Sequence, residues 1–127
     1  MATSPVFAVT PRIGAVSIAT ADSSYTSPTS VGTLITGVST GTRISEIVVK
    51  NAATSAAAIV RIFLYDGSTY WLFDEITVSA ATGSSTVQQN RVSTVYNNLI
   101  LPSASWSVRV TTSVSQTTHV TAFGADL

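Results

Sequence analysis

A single histidine, His119, stands among six carboxylates in a chain of 127 residues that contains no cysteine. A multi-histidine or thiolate metal site is therefore out of reach, and no ligand spacing supports a site that would join His119 to Asp66, Asp74 or Glu75. Glycoside hydrolysis needs two cooperating carboxylates. Asp74 and Glu75 are neighbours in a strand-like segment, so their side chains point to opposite faces. Asp66 is accounted for by turn chemistry, and Glu46 and Asp22 have no evident partner. With 19 serines a Ser–His–acid triad can always be drawn, but no Gly-x-Ser-x-Gly elbow singles one out. No Gly-x-x-x-x-Gly-Lys or Gly-x-Gly-x-x-Gly loop is present to cradle phosphate, and "DGSTY" lacks the spaced acids of a calcium loop. The sequence names no catalytic residue, no metal ligand and no cofactor, and the expectation is a protein that is not an enzyme.

Tyr65, Tyr70, Trp71 and Trp106 could form a platform on which a sugar stacks. However, Trp106 alternates in phase with Val108 and Val110, which assigns it to the core, and the same reading applies to Trp71. A sugar-binding face stays open as an alternative.

The elements that would position any site must be built from an unusual composition. Charged residues are 9% of the chain, against roughly 25% in an ordinary globular protein. Six basic residues cancel six acidic ones, and both are scattered, which argues against a nucleic-acid groove or a polybasic membrane surface. Serine and threonine number 19 and 20, while 45% of residues are hydrophobic. Such a chain can bury a core, and its many β-branched residues favour strands over disorder. No apolar run reaches the roughly 18 residues that span a bilayer. The start, "MATSPVFAVTPR", lacks the basic and apolar stretches of a signal peptide, so a soluble protein made in the cytoplasm is expected. So little charge protects poorly against self-association: either hydroxyls suffice, or much of the surface is covered in an assembly.

Residues 1–12, with Pro5 and Pro11, read as an extended arm or a proline-interrupted edge strand. Strands are predicted at 12–19, 33–38 and 43–50, the last with a change of phase between Ile44 and Ile47 that marks a β-bulge. A hairpin follows at 61–73, then strands at 86–93, 97–103, 106–114 and 118–124. In the 106–114 strand Trp106, Val108, Val110, Thr112 and Val114 share one face. About eight or nine short strands, no convincing helix and no internal repeat give an all-β, single-domain β-sandwich over 13–127, jelly-roll-like in topology.

The hairpin "RIFLYDGSTYWLF" is apolar on both faces. Asp66-Gly67 signals the turn, since both residue types tolerate positive φ. Whether the loop has two residues or four, one face carries Ile62, Leu64, Trp71 and Phe73, and the other Phe63, Tyr65, Tyr70 and Leu72. The first set is assigned to the core. The second is a patch of the kind that marks an interaction surface, to be covered by a partner or by the chain's own arm or 20–32 loop.

Residues 43–127 are similar to small β-rich proteins encoded in tailed-phage genomes. The likeness lies in a strand ending at Lys50, "LYDG" with aromatics after it, the Glu75-Ile76 pair, "LILP" leading into "RVTTS", and the closing "VTAFGADL"; residues 1–42 contribute nothing to it. The resemblance implies a virion structural protein, a capsid cement or decoration protein in particular. Such a protein would form a homo-oligomer, with a trimer favoured, and would bind the major capsid protein. No catalytic residue carries over. Pro5, Val6 and Phe7 of the arm would join Phe63, Tyr65, Tyr70 and Leu72 in contacts with subunits or capsid. A tail or fibre component and a sugar-binding adhesin module are the alternatives.

Overall fold

In the computed structural model, residues 9–52 and 55–127 are described. Eight strands run in order: β1 Thr10–Ile18, β2 Gly32–Thr36, β3 Thr42–Asn51, β4 Ala58–Tyr65, β5 Tyr70–Val78, β6 Arg91–Leu101, β7 Ser107–Thr112 and β8 Thr118–Asp126. They pair as nested couples, β4 with β5, β3 with β6, β2 with β7 and β1 with β8, all antiparallel. The chain is thus one long hairpin of strand pairs. Further pairing of β3 with β8 and β4 with β7 rolls it up. The result is a first sheet ordered β1-β8-β3-β6 and a second ordered β2-β7-β4-β5, which is a jelly roll. Among the described residues no helix is long and apolar enough to cross a membrane.

The inward faces follow from alternation. Ile44, Ile47, Val49, Val120 and Ala122 of the first sheet meet Val60, Ile62, Val78, Val108 and Val110 of the second, all essentially without exposure. Three bulges adjust the phase. On β3 the register shifts between Ile44 and Glu46, so Ile44 and Ile47 both point inward, as the phase change in the sequence predicts. On β2 a shift between Thr33 and Ile35 leaves both Leu34 and Ile35 buried. The third, in the hairpin, reassigns residues of interest below.

Two boundaries differ from the sequence reading. Segments 86–93 and 97–103 are not separate strands: Thr86–Asn90 lies in the β5–β6 connection, and a single β6 runs from Arg91 to Leu101. The polar Asn97-Asn98 pair looks like a break, but it is absorbed where the partner register jumps from Leu99 to Val95, and Arg43 Nη2 donates to the Asn97 carbonyl at 3.1 Å. At the other end, Thr10–Arg12 belong to β1, pairing with Asp126–Gly124. Pro11 fits there because β1 is an edge strand.

Candidate functional site

The β4–β5 hairpin turns through Asp66-Gly67-Ser68-Thr69. Gly67 takes φ +104°, which a side chain would resist, and among the described residues none other than glycine has positive φ; Asp66 therefore serves the turn differently from the expected left-handed residue. Its Oδ1 accepts the backbone N–H of Ser68 at 2.9 Å and of Thr69 at 2.8 Å, and its Oδ2 accepts the Trp71 indole N–H at 3.2 Å. These donors, Thr69 first, hold the carboxyl down at about 2.

Leu64 lies opposite Trp71 and Tyr65 opposite Tyr70, but a bulge follows and Ile62 faces Asp74 rather than Phe73. The bulge and the turn overturn part of the core assignment. Ile62 is fully buried, and Leu64 packs against the core with Trp106, Val108 and Val110. Trp71 and Phe73 do not: they are 53% and 42% exposed. Trp71 sits beyond the end of the core, tied to the turn by Asp66. Phe73 is the extra residue of the bulge and leans on the Tyr96 ring at 5.4 Å.

The hairpin's other face is largely covered by the chain itself. Phe63 has no exposure; Tyr70 meets it edge-on at 5.9 Å and stacks on Tyr65 at 4.3 Å. The Arg109 guanidinium lies 4.4 Å over the Tyr65 ring and donates to the Tyr70 hydroxyl at 3.4 Å. Beside them Arg61, whose side chain is 6% exposed, donates Nε–H to Glu75 Oε1 at 3.0 Å. Its guanidinium sits 4.4 Å under the Tyr25 ring and donates to the Tyr25 hydroxyl at 3.2 Å. Tyr25 arrives from the β1–β2 loop, which Asp22 organises by accepting N–H groups from Ser24, Thr29 and Ser30 at 2.9, 2.7 and 2.8 Å. Those donors, Ser30 foremost, lower the Asp22 pKa against the opposing effect of burial. Phe63 is therefore closed to any partner, contrary to its assignment as a contact residue. Tyr65 and Tyr70 are half-buried, and Leu72 is exposed. Pro5, Val6 and Phe7 lie outside the described residues.

The sandwich's two long edges differ. Where β1 meets β2, Gly14 packs so closely that a Cβ there would run into the Leu34 carbonyl oxygen. Arg12 clasps that edge, donating to Asp126 Oδ1 at 2.8 Å and the Thr36 carbonyl at 2.9 Å. Where β5 meets β6, Tyr96 donates its O–H to Asp74 Oδ2 at 2.8 Å, its pKa raised by burial and by Asp74. Trp71, Leu72 and Phe73 stand exposed along this side.

The titratable groups do not converge. Asp74 bonds to Tyr96 and Glu75 to Arg61, so the two neighbours do point apart. His119 projects from the outer face of the first sheet between Ser17 and Lys50, away from Asp66, Asp74 and Glu75 on the second sheet. Among the described residues, no group of three His, Cys, Asp or Glu side chains could hold a metal. Sequence reading overlooked the stacked cations. Arg61 stands two residues before the outward Phe63 on β4, which was the available signal; Arg109 meets Phe63 only across the β4–β7 pairing.

No protein-family model and no curated protein matches this chain. Among solved structures, it is similar to a chain of the infectious bursal disease virus Gx strain, with a TM-score of 0.36 and 14% identity over 94% of this chain and 34% of that one. For a chain of the Gt strain the TM-score is 0.35 and the identity 16%, over 99% and 36%. This chain spans about a third of the length of those viral chains. The roll itself is defined by the nested strand pairs of this chain.

Proposed function

We propose that the protein is a non-enzymatic structural component of a virion: a capsid decoration or cement protein that acts as a homo-oligomer, a trimer by preference, and binds the major capsid protein. One observation carries the reading. The second sheet commits Arg61, Asp66, Asp74, Glu75 and Arg109 to contacts within the chain, while large apolar side chains remain exposed along β5 at Trp71, Leu72 and Phe73. The likeness of residues 43–127 to tailed-phage proteins points the same way. In this reading the sandwich is a rigid block, and β5, an edge strand, offers free backbone groups flanked by apolar side chains. Pro5, Val6 and Phe7 are assigned to the same contacts. Many weak copies bridging capsomers would stabilise a shell by multivalency.

The test is binding of the purified protein to capsids that lack it, by co-sedimentation. The double variant Trp71→Ala, Phe73→Ala should lower capsid affinity at least tenfold while leaving the fold intact, since both side chains lie outside the core and are about half exposed. A stable monomer without capsid affinity would sink the proposal, and affinity for tails alone would move the protein to a tail or fibre. The exposure of Trp71 beside Phe73 also favours a second reading, a sugar-binding module. Saturable binding on a glycan array, abolished by Trp71→Ala, would establish it.

A further inference from the structure

Beyond an end row of Pro11, Ala125, Arg43 and Ile100, the outer face of the first sheet is laid out in three rows that cross all four strands. The register places Ile13, Phe123, Glu46 and Val95 in one row, Ala15, Thr121, Val48 and Ser93 in the next, and Ser17, His119, Lys50 and Arg91 in the third. The first row is apolar around one carboxylate, with Ile13, Val95 and Phe123 exposed by 66, 70 and 39%. Small residues dominate the middle row, and the third is basic. On β3 Glu46 and Lys50 are therefore placed symmetrically, one row either side of Val48. Neither is fully committed: Glu46 accepts the Ser93 hydroxyl, and Lys50 donates to the Gln89 carbonyl at 3.2 Å.

We propose that this face binds a second copy of the same chain, around a two-fold axis that runs across the strands at the Ala15–Thr121–Val48–Ser93 row. The two-fold maps the first row of one copy onto the third row of the other, as an isologous interface requires. Glu46 then meets Lys50 of the other copy twice, Phe123 meets the imidazole of His119, and Val95 meets the aliphatic stem of Arg91. The small middle row lets the two sheets approach at the spacing of packed sheets, about 10 Å. Charge selects this orientation. An axis along the strands would instead set Lys50 against His119 and Glu46 against Phe123, leaving both charges without an opposite partner in the contact, which is costly. Four strands about 4.8 Å apart and three rows about 7 Å apart span roughly 20 Å by 20 Å. That is well short of the roughly 800 Å² per partner of a standard interface, so the contact is weak between free copies and adds up when copies are arrayed. It deepens the self-association in the proposed function and is read without capsids, so its failure leaves the capsid proposal standing.

The absence of cysteine gives a clean background for the test. Facing Cα atoms about 10 Å apart are too far for a disulfide, so a short bismaleimide is the probe. Val48 is itself buried, so the probe goes on its half-buried neighbour in the axis row: Thr121→Cys should cross-link to itself. Glu46→Cys and Lys50→Cys should cross-link to each other when mixed but not each to itself, because the two Glu46 positions would be roughly 17 Å apart. Glu46→Lys and Lys50→Glu should each lower the Thr121→Cys yield about tenfold, the lost pair occurring twice, and the double reversal should restore it. Far-ultraviolet circular dichroism checks that each variant folds. A Thr121→Cys protein that stays monomeric under cross-linking overturns the proposal, as does self-linking of Glu46→Cys or failure of the double reversal to rescue.

Discussion

The outer faces of the two sheets finish the same kind of surface in opposite ways. On the second sheet Phe63 points away from the core and is nevertheless fully buried, because Tyr70 packs on it and Arg109 and Tyr25 close over its neighbours. On the first sheet Ile13, Phe123 and Val95 also point away from the core but stay exposed. The difference lies in where long side chains stand. A guanidinium stacked on an aromatic ring shields apolar surface with its stem and plane while still serving its own hydrogen bonds. The second sheet interleaves Arg61 and Arg109 with its aromatics. The first sheet keeps Lys50 and Arg91 two rows away from Ile13 and Phe123, and Arg43, one row away on the other side, reaches to the Asn97 carbonyl. One face has supplied its own cover; on the other, Ile13, Phe123 and Val95 have none among the described residues.

Substitutions of matched residues on the two faces would break or sharpen this contrast, and the largest effect belongs to phenylalanine. Phe63→Ala should cost about 3 kcal/mol or more in urea unfolding, as for a buried aromatic, whereas Phe123→Ala should stay within about 1 kcal/mol. Equal losses would mean that the first sheet's face is not bare. Next comes charge. Arg61→Ala removes a buried cation that Glu75 and Tyr25 both hold, and should destabilise by about 2 kcal/mol, less than a fully buried pair because Glu75 remains partly in water. Lys50→Ala on the other face should change stability by no more than about 0.5 kcal/mol. Tyr25→Phe, which keeps the ring over Arg61 but removes its hydroxyl acceptor, should fall between them at about 1 kcal/mol.

How much of this was legible beforehand depends on whether a residue's place follows from alternation alone. Val108 and Val110 did follow, as did the bulge between Ile44 and Ile47, because two isoleucines out of phase on one strand can both be buried only if the strand slips. The eight-stranded roll followed from strand count and spacing. Trp71 and Phe73 did not, since their assignment assumed an unbroken ladder. The bulge at Phe73 has no local signature: every residue from Tyr70 to Phe73 is large and apolar, so no polar residue marks the slip. The cover over Arg61 was also hidden, because it depends on Tyr25, 36 residues away in sequence. His119, which no ligand spacing tied to a carboxylate, stands on the exposed face of the first sheet.

The smallest predicted effect separates the loop that covers the second sheet from the turn that ends it. Asp22 and Asp66 both titrate lower in the folded chain than the ordinary 3.8. Each therefore contributes stability that is fully present above that value and is lost as pH falls through the folded one. Asp66, held at about 2, keeps its turn bonds until strongly acid conditions, and Trp71, whose indole N–H it accepts, reports their loss. In a Trp106→Phe background the Trp71 emission should shift between pH 4 and pH 2, and Asp66→Asn should flatten that shift. Asp22 instead governs Tyr25. Lowering the pH should loosen the loop and free the Tyr25 ring from Arg61, seen as a change in the Tyr25 ring signals by nuclear magnetic resonance, while Phe123 on the first sheet stays unchanged. Asp22→Asn should give the loosened Tyr25 signal already at neutral pH, because an amide oxygen is a weaker acceptor than a carboxylate for three converging N–H groups. If Tyr25 and Phe123 instead respond together, the cover over the second sheet is not a local device but part of one cooperative acid transition of the whole sandwich.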